Sequence, residues 1–131
     1  VYITSLAKGL LTKIKKHSKD SPYLFPSPRG KGTKPITSRS ISQALLKNLK
    51  TINTEPFRPH DLRRTASTTM TANGIPREIV SKIINHSDSG VTRIYDRYSY
   101  DKEKKNAMNK WDRILKSIIS GDTGKVVEIT R

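Results

Sequence analysis

Cysteine is absent from the 131-residue chain, and acidic residues are scarce, with 11 Asp and Glu against 26 Lys and Arg. Without cysteine the chain can form neither disulfides nor thiolate metal sites. No apolar run approaches the roughly 18 residues that a membrane span requires, and no signal peptide is recognisable. We therefore expect a cytoplasmic protein with no membrane partner. Because the first residue is Val1 rather than Met, we also expect a piece of a longer protein.

The net charge of +15 is spread along the chain rather than confined to a tail. Residues 1–56 carry 11 basic and 2 acidic side chains, and residues 57–131 carry 15 and 9. Positive charge distributed over a folded domain favours a polyanionic partner, most often nucleic acid. The alternative is a solubilising surface, or charge that is balanced elsewhere in a longer protein.

The first half of the chain predicts two helices joined by a long loop. The segments SLAKGLLTKIKKH and SRSISQALLKNLKT have apolar residues at helical spacing. The positions expected to face inward are Leu6, Leu10, Leu11 and Ile14 in the first helix and Ile41, Leu45 and Leu49 in the second. The Pro-, Gly- and Ser-rich stretch between the helices predicts an ordered loop, held to the core through Tyr23, Leu24 and Phe25.

The second half predicts further helices with sharp ends. A helix begins near His60 and ends at Gly74, and Pro76 fits the first turn of the next. The apolar residues expected to face inward on that next helix are Ile79, Val80, Ile83 and Ile84. A long helix over 101–119 follows, and KVVEITR has the alternating pattern of a short C-terminal β-strand. The predicted fold class is mainly α. The helical part covers 1–119, and a flexible tail over 120–131 can dock as a strand.

The segment FRPHDLRRT has the composition of a phosphate-binding helix start. His60 and Arg63 are three residues apart, so a helix brings both side chains to one face. The positive end of the helix dipole favours an anion there, and an Arg fork can bond two phosphate oxygens at once. The pair alone is weak support for a site, because His and Arg at a helix start are more often ordinary surface residues.

Two later motifs follow in order: His86 in NHS, and Tyr95 in VTRIYDRY, nine residues after that His. With HDLRRT, they closely resemble the tyrosine recombinases, also called phage integrases. That family has an HxxR helix, then a GH or NH turn, then a nucleophilic Tyr nine or ten residues after the second His. The segments VYITSLAKGLL and YLFPSPRGKGTKPIT also resemble prophage and genomic-island integrases. The resemblance therefore covers nearly the whole chain.

The resemblance implies a helical C-terminal portion of a recombinase catalytic domain, with Tyr95 attacking a DNA phosphate to form a 3′-phosphotyrosyl bond. Arg63 and His86 would stabilise the charged transition state, and His60 would assist proton transfer or orient the phosphate. Asp61 and Arg64 are expected to support the site or the fold rather than take part in the reaction. Arg64 is also expected to contact DNA. The expected partners are double-stranded DNA and other recombinase protomers in a synaptic complex, with no small-molecule cofactor. The predicted DNA-binding residues are Arg29, Lys31, Lys34, Arg58, Arg64 and Arg93.

The chain also departs from the family pattern. An earlier Arg in a TGxRxxE helix and a Lys on a β-hairpin belong to the catalytic set, and no residue of 1–56 matches either motif. Lys31 and Lys34 lie in a later loop and are poor substitutes. The 131-residue chain is therefore expected to be inactive alone.

Three alternatives remain at the level of sequence. Tyr98, three residues after Tyr95, is the second candidate nucleophile. The segment RRTASTTMTANGIPREIVSKIINH has two short helices joined through a Gly, which also fits a non-catalytic helix-turn-helix DNA-binding protein. A metal hydrolase is disfavoured because His17, His60 and His86 are far apart in the sequence and no HExxH motif is present.

Overall fold

The computed structural model describes residues 2–18, 20–86 and 98–122. These residues are mainly α-helical, which confirms the predicted fold class. The helices are α1 (Ser5–His17), α2 (Ser38–Ile52), α3 (Pro59–Ala72), α4 (Arg77–Ile83) and α5 (Asp101–Ser120). The C-terminal strand predicted within 125–131 lies outside the described residues.

The chain divides into two compact units, and the division falls inside α3. Residues 5–62 form one unit, and residues 1–4 with 63–131 form the other. The unit of residues 5–62 contains α1, α2 and the first turn of α3, and we call it the N-terminal unit. The other unit contains the rest of α3 with α4 and α5, and we call it the C-terminal unit.

The loop between α1 and α2 is ordered by its own hydrogen bonds. An isolated antiparallel bridge pairs Pro26 with Pro35, and the Ser21 hydroxyl donates to the Gly32 carbonyl at 2.7 Å. A short 3₁₀ turn, Pro28–Gly30, ends at Lys31, whose φ of 47° is left-handed. These contacts confirm an ordered loop and leave Lys31 exposed.

Burial in the N-terminal unit is shallower than the sequence predicts. Among its described residues no apolar side chain is fully buried, although several predicted inward positions are half-buried: Leu6, Leu11, Ile14, Leu24, Leu45 and Leu49. Leu10 and Ile41 are 51% and 56% exposed, and Tyr23 and Phe25 are also exposed. The inward prediction is wrong for these four residues. Helical periodicity identifies residues that share a face, but it does not supply a neighbour to cover that face.

The C-terminal unit contains the hydrophobic core. Five buried residues form it: Met70, Ile75, Ile79, Val80 and Ala107. The half-buried side chains of Ile83, Tyr100 and Trp111 pack against this cluster. α4 packs on α5, which brings the apolar stripe predicted for α4 against Ala107 and Trp111 of α5. Gly74 ends the turn after α3 with a φ of 74°, the left-handed conformation that its position after a helix predicts.

Further contacts fix α5. Its apolar side continues through buried Ile114, and buried Asp112 forms an ion pair with Lys116 at 2.7 Å. The Tyr2 hydroxyl donates to Asn109 Oδ1 at 2.9 Å. Gly121, with a φ of 76°, caps the helix, so α5 ends where the sequence predicts.

Candidate functional site

The start of α3 is held by a side-chain cap. Pro59 is the first helical residue, and the Arg58 backbone N–H donates to Asp61 Oδ2 at 2.9 Å. A carboxylate at the third helical position that accepts from the residue before the helix is one half of a capping box. Asp61 therefore has a structural role, as the sequence suggests.

The capped turn presents His60 and Arg63 to solvent. Both residues are exposed and lie three apart on the same regular helix, so their side chains leave from neighbouring positions on its surface. Arg64 is also exposed. This turn thus offers an imidazole and a guanidinium beside the positive helix end, a combination that can bind a phosphate group.

His86 follows α4 through a left-handed residue. Asn85 has a φ of 53°, and the His86 backbone N–H donates to the Ser81 carbonyl at 3.0 Å. Gly and Asn are the residues that adopt this conformation most readily, which gives a physical reason for a GH or NH turn. His86 is exposed.

His86 also borders a groove between α3 and α4 in the C-terminal unit. The groove has a volume of about 540 Å³. Hydroxyl, guanidinium and imidazole side chains supply its polar lining: Ser67, Thr68, Thr71, Arg77, Ser81 and His86. The hydroxyls of Thr68 and Thr71 donate to the carbonyls of Arg64 and Ser67 in the preceding turn of α3.

Tyr98 is described, whereas the predicted nucleophile Tyr95 and the predicted DNA contact Arg93 lie outside the described residues. The Tyr98 hydroxyl donates to Glu103 Oε1 at 3.2 Å. The negative charge of Glu103 and this hydrogen bond raise the pKa of the Tyr98 phenol above its ordinary value. Beside a carboxylate, the phenolate form of Tyr98 is disfavoured.

The remaining predicted DNA-binding residues are exposed cations. They are Arg29, Lys31, Lys34, Arg58 and Arg64. The first three belong to the loop between α1 and α2, and the other two flank the capped start of α3. In the described ranges, no three His, Cys, Asp or Glu side chains are grouped so that they could hold a metal ion.

The sequence interpretation did not identify two specific contacts near these residues. Asp61 caps α3, and an acidic residue three positions after the cap is a local signal that could have identified this contact. Lys82 lies over the ring of Tyr100, with Nζ 4.2 Å from the ring centroid. No local signal predicts that pair, because 18 residues separate the partners and only the packing of α4 on α5 brings them together.

Comparison with known proteins identifies the class. The phage integrase family matches residues 2–102. Tyrosine recombinase XerA of Pyrococcus furiosus is 29% identical over 121 residues, which cover 89% of this chain and 41% of that protein. Prophage integrase IntA of Escherichia coli is 29% identical over 117 residues, which cover 88% of this chain and 27% of that protein. Transposase B of transposon Tn554 from Staphylococcus aureus is 30% identical over 117 residues, which cover 86% of this chain and 18% of that protein.

The chain belongs to the phage integrase family, that is, the tyrosine recombinases. It spans less than half the length of these curated relatives. No solved structure matches it significantly. No helix in the described part of the chain is long and apolar enough to cross a membrane.

Proposed function

We propose that this chain is the C-terminal part of the catalytic domain of a site-specific DNA recombinase. The whole enzyme would cleave and rejoin double-stranded DNA through a 3′-phosphotyrosyl intermediate and so integrate or excise a mobile element. The observation that carries the proposal is family membership over residues 2–102, a range that contains HDLRRT, NHS and VTRIYDRY in order. The motif residues in this chain are His60, Arg63, His86 and Tyr95.

Each of these residues would have one role in the reaction. The Tyr95 oxygen attacks the scissile phosphorus and forms a new P–O bond, while the bond to the 5′ oxygen breaks and that oxygen takes up a proton. Arg63 neutralises the non-bridging oxygens as charge accumulates on them, and His86 donates a further hydrogen bond. His60 assists proton transfer or orients the phosphate. Because the phosphotyrosyl bond retains the energy of the phosphodiester, religation requires no nucleotide cofactor.

The contacts of Tyr98 support Tyr95 as the nucleophile. A Tyr that attacks phosphorus reacts as the phenolate, and its hydroxyl must face the phosphate. The Tyr98 hydroxyl donates to Glu103 instead, and the same carboxylate raises its pKa. Both effects disfavour attack by Tyr98.

Exposed cations would supply the contacts with DNA. Arg29, Lys31 and Lys34 are exposed on one ordered loop, and such cations release condensed counterions when they neutralise phosphates. Arg58, Arg64 and Arg93 would add contacts near the catalytic motifs. The remaining partners would be other recombinase protomers in a synaptic complex.

The test of catalysis is covalent adduct formation by the full-length recombinase on a suicide DNA substrate. Tyr95→Phe is expected to abolish the adduct and leave DNA affinity nearly unchanged, because only the phenol oxygen is lost. Tyr98→Phe is the matched control and should still form the adduct. An adduct that persists in Tyr95→Phe and disappears in Tyr98→Phe would make Tyr98 the nucleophile. A wild-type protein that binds DNA without any adduct would favour the helix-turn-helix alternative.

The test of the missing catalytic groups uses the 131-residue chain itself. We expect it to bind duplex DNA weakly, with little sequence preference and with affinity that falls steeply as salt rises. Strand cleavage should be very slow, because loss of one charge-stabilising donor lowers a rate by about 10²–10³-fold. Cleavage as fast as that of the full-length protein would contradict the view that an upstream Arg and Lys are required.

The division into a catalytic part, 1–119, and a docking tail, 120–131, has its own test. Deletion of residues 121–131 from the full-length protein should lower recombination while DNA binding is retained, because the tail would dock as an added strand on its own or a neighbouring protomer. Equal recombination by the truncated and full-length proteins would show that the tail is only a chain terminus.

A further inference from the structure

Tyr98, three residues after the proposed nucleophile, is held by two side-chain contacts. Its hydroxyl donates to Glu103 Oε1 at 3.2 Å. Its ring meets the ring of Tyr100 edge-on, with centroids 4.8 Å apart and an interplanar angle of 70°, which is a favourable aromatic arrangement. Tyr98 is thereby attached to the first turn of α5 and to the residue that precedes it.

Tyr100 is in turn attached to α4 and to the core. Lys82 Nζ lies 4.2 Å from its ring centroid, within the range of a cation–π interaction. The Lys82 side chain is only 20% exposed, and Tyr100 packs against the hydrophobic cluster. The Tyr100 carbonyl also accepts from the Lys104 backbone N–H at 2.9 Å. Lys82, Tyr98, Tyr100 and Glu103 thus form one cluster, which we call the anchor.

The anchor is close to Tyr95 along the chain. Three residues span at most about 10 Å even when fully extended, so the position of Tyr98 limits where the Tyr95 backbone can lie. Nine residues separate Tyr95 from His86, and they can span about 30 Å. The constraint on Tyr95 from its C-terminal side is therefore the tighter of the two.

We propose that the anchor positions Tyr95 for attack on the phosphate, with Lys82 and Tyr98 as positioning residues that touch neither DNA nor the reacting atoms. The inference rests on the proposed function, since it takes Tyr95 as the nucleophile. Lys82 fixes Tyr100 to α4, Tyr98 contacts the Tyr100 ring edge-on, and the short link to Tyr95 would restrict the volume that its phenol oxygen samples. A nucleophile held near its attack geometry reacts faster at the same DNA affinity.

The experiment measures single-turnover adduct formation by the full-length recombinase at saturating suicide DNA, with DNA affinity and thermal melting determined in parallel. Lys82→Met removes the cation and keeps an apolar side chain of similar length. We expect adduct formation to slow by about tenfold, because small misplacements of reacting groups have effects of this size. Tyr98→Phe keeps the ring contact and loses the bond to Glu103, and we expect a reduction of about threefold. DNA affinity should stay within about twofold for both variants, because neither residue is proposed to touch DNA.

Two control variants and one rescue variant isolate the anchor. Lys105→Met is the first control, because Lys105 Nζ lies 5.5 Å from the ring centroid of Tyr2, outside the anchor. The substitution removes one positive charge and one Lys–Tyr contact, as Lys82→Met does, and should keep the wild-type rate. Glu78→Gln removes the 3.9 Å ion pair of Lys82 but leaves its contact with Tyr100, and should also keep that rate. Lys82→Arg restores a cation that can stack on Tyr100, so it should recover most of the lost rate.

The outcomes separate the anchor from the proposed function. If the adduct depends on Tyr95 but Lys82→Met and Tyr98→Phe react at the wild-type rate, the anchor is refuted and the recombinase proposal stands. A Lys82→Met variant that weakens DNA binding at an unchanged rate also refutes the anchor, because Lys82 would then contact phosphate. If Tyr95→Phe forms the adduct and Tyr98→Phe does not, the proposed nucleophile is wrong and the anchor fails with it.

Discussion

The two units of the chain contain similar amphipathic helices but differ in what those helices bury. In the C-terminal unit, α4 and α5 bring their apolar stripes together, and Met70 and Val80 are each 2% exposed. In the N-terminal unit, α1 and α2 have stripes of the same period, yet neither helix contains a fully buried residue. The comparison shows that periodicity defines an apolar face, whereas burial depends on a second face that covers it.

The candidate functions differ between the units as well. The C-terminal unit contains Arg63, His86 and the anchor, whose proposed roles require fixed positions, while His60 lies in the N-terminal unit. The N-terminal unit carries an exposed loop with three cations, and their proposed contact with DNA would require charge more than fixed geometry. The hydrophobic core therefore lies in the unit that contains two of the three described motif residues, Arg63 and His86.

The largest expected difference between the units concerns core truncation. Met70→Ala should lower the free energy of unfolding by about 2–5 kcal/mol, because it removes a buried side chain and leaves a cavity. Leu46→Ala in α2 should change it by less than about 0.5 kcal/mol, since Leu46 is 63% exposed. Urea denaturation of both variants, followed by circular dichroism, measures the contrast. Equal decreases in the free energy of unfolding for the two variants would mean that α2 contributes to burial as strongly as α3.

A smaller difference is expected for two glycines. Gly74 has a φ of 74°, and a Cβ there would meet only Lys110 Nζ at an ordinary 3.5 Å, so Gly74→Ala is opposed by backbone strain of roughly 1–2 kcal/mol. Gly9 lies within α1 with nothing near its Cβ position, so Gly9→Ala should stabilise by about 0.5–1 kcal/mol. Thermal melting should shift in opposite directions. Two shifts of the same sign would contradict this account.

The smallest expected effect is a dependence on pH at the start of α5. Glu103 raises the pKa of Tyr98 above its ordinary 10.0, so this contact stabilises the folded state below pH 10 and is lost as pH rises through the raised pKa. A hydrogen bond from Lys104 is the main cause that lowers the pKa of Asp101, and a hydrogen bond from Ser99 lowers it further. That contribution is present above the ordinary pKa of Asp101, 3.8, and is lost as pH falls through the lowered value.

A nuclear magnetic resonance titration of the tyrosine ring carbons checks the alkaline half of this prediction. The Tyr98 midpoint should lie above 10.0 in the wild-type chain and return toward that value in Glu103→Gln, which keeps an acceptor but removes the charge. A midpoint that does not change in Glu103→Gln would show that the carboxylate does not control Tyr98.

The local features of the fold could be predicted from the sequence because short-range chemistry determines them. Gly74 marks the end of α3, and the stripe of α4 follows from its spacing, so these predictions are confirmed. Leu10 and Ile41 share the same kind of spacing but are exposed. Their burial depends on long-range packing, which a local pattern does not determine.

The candidate site divides in the same way. The HDLRRT segment predicts a helix start with His60 and Arg63 on one surface, and α3 has that form. The contact between Lys82 and Tyr100 depends on the packing of α4 against α5, so it could not be read from the sequence. The roles of Tyr95 and its partners remain predictions from the family motifs.

Peptide mapping of the trapped protein–DNA adduct tests the recombinase chemistry most directly. After reaction of the full-length protein with a suicide substrate and nuclease trimming, trypsin cuts after Arg93, Arg97 and Lys102. Tyr95 then lies in the peptide over 94–97, and Tyr98 and Tyr100 lie in the peptide over 98–102. We predict that mass spectrometry will find the nucleotide on the 94–97 peptide. A nucleotide on the 98–102 peptide, or on neither, would contradict the assignment of Tyr95 as the nucleophile.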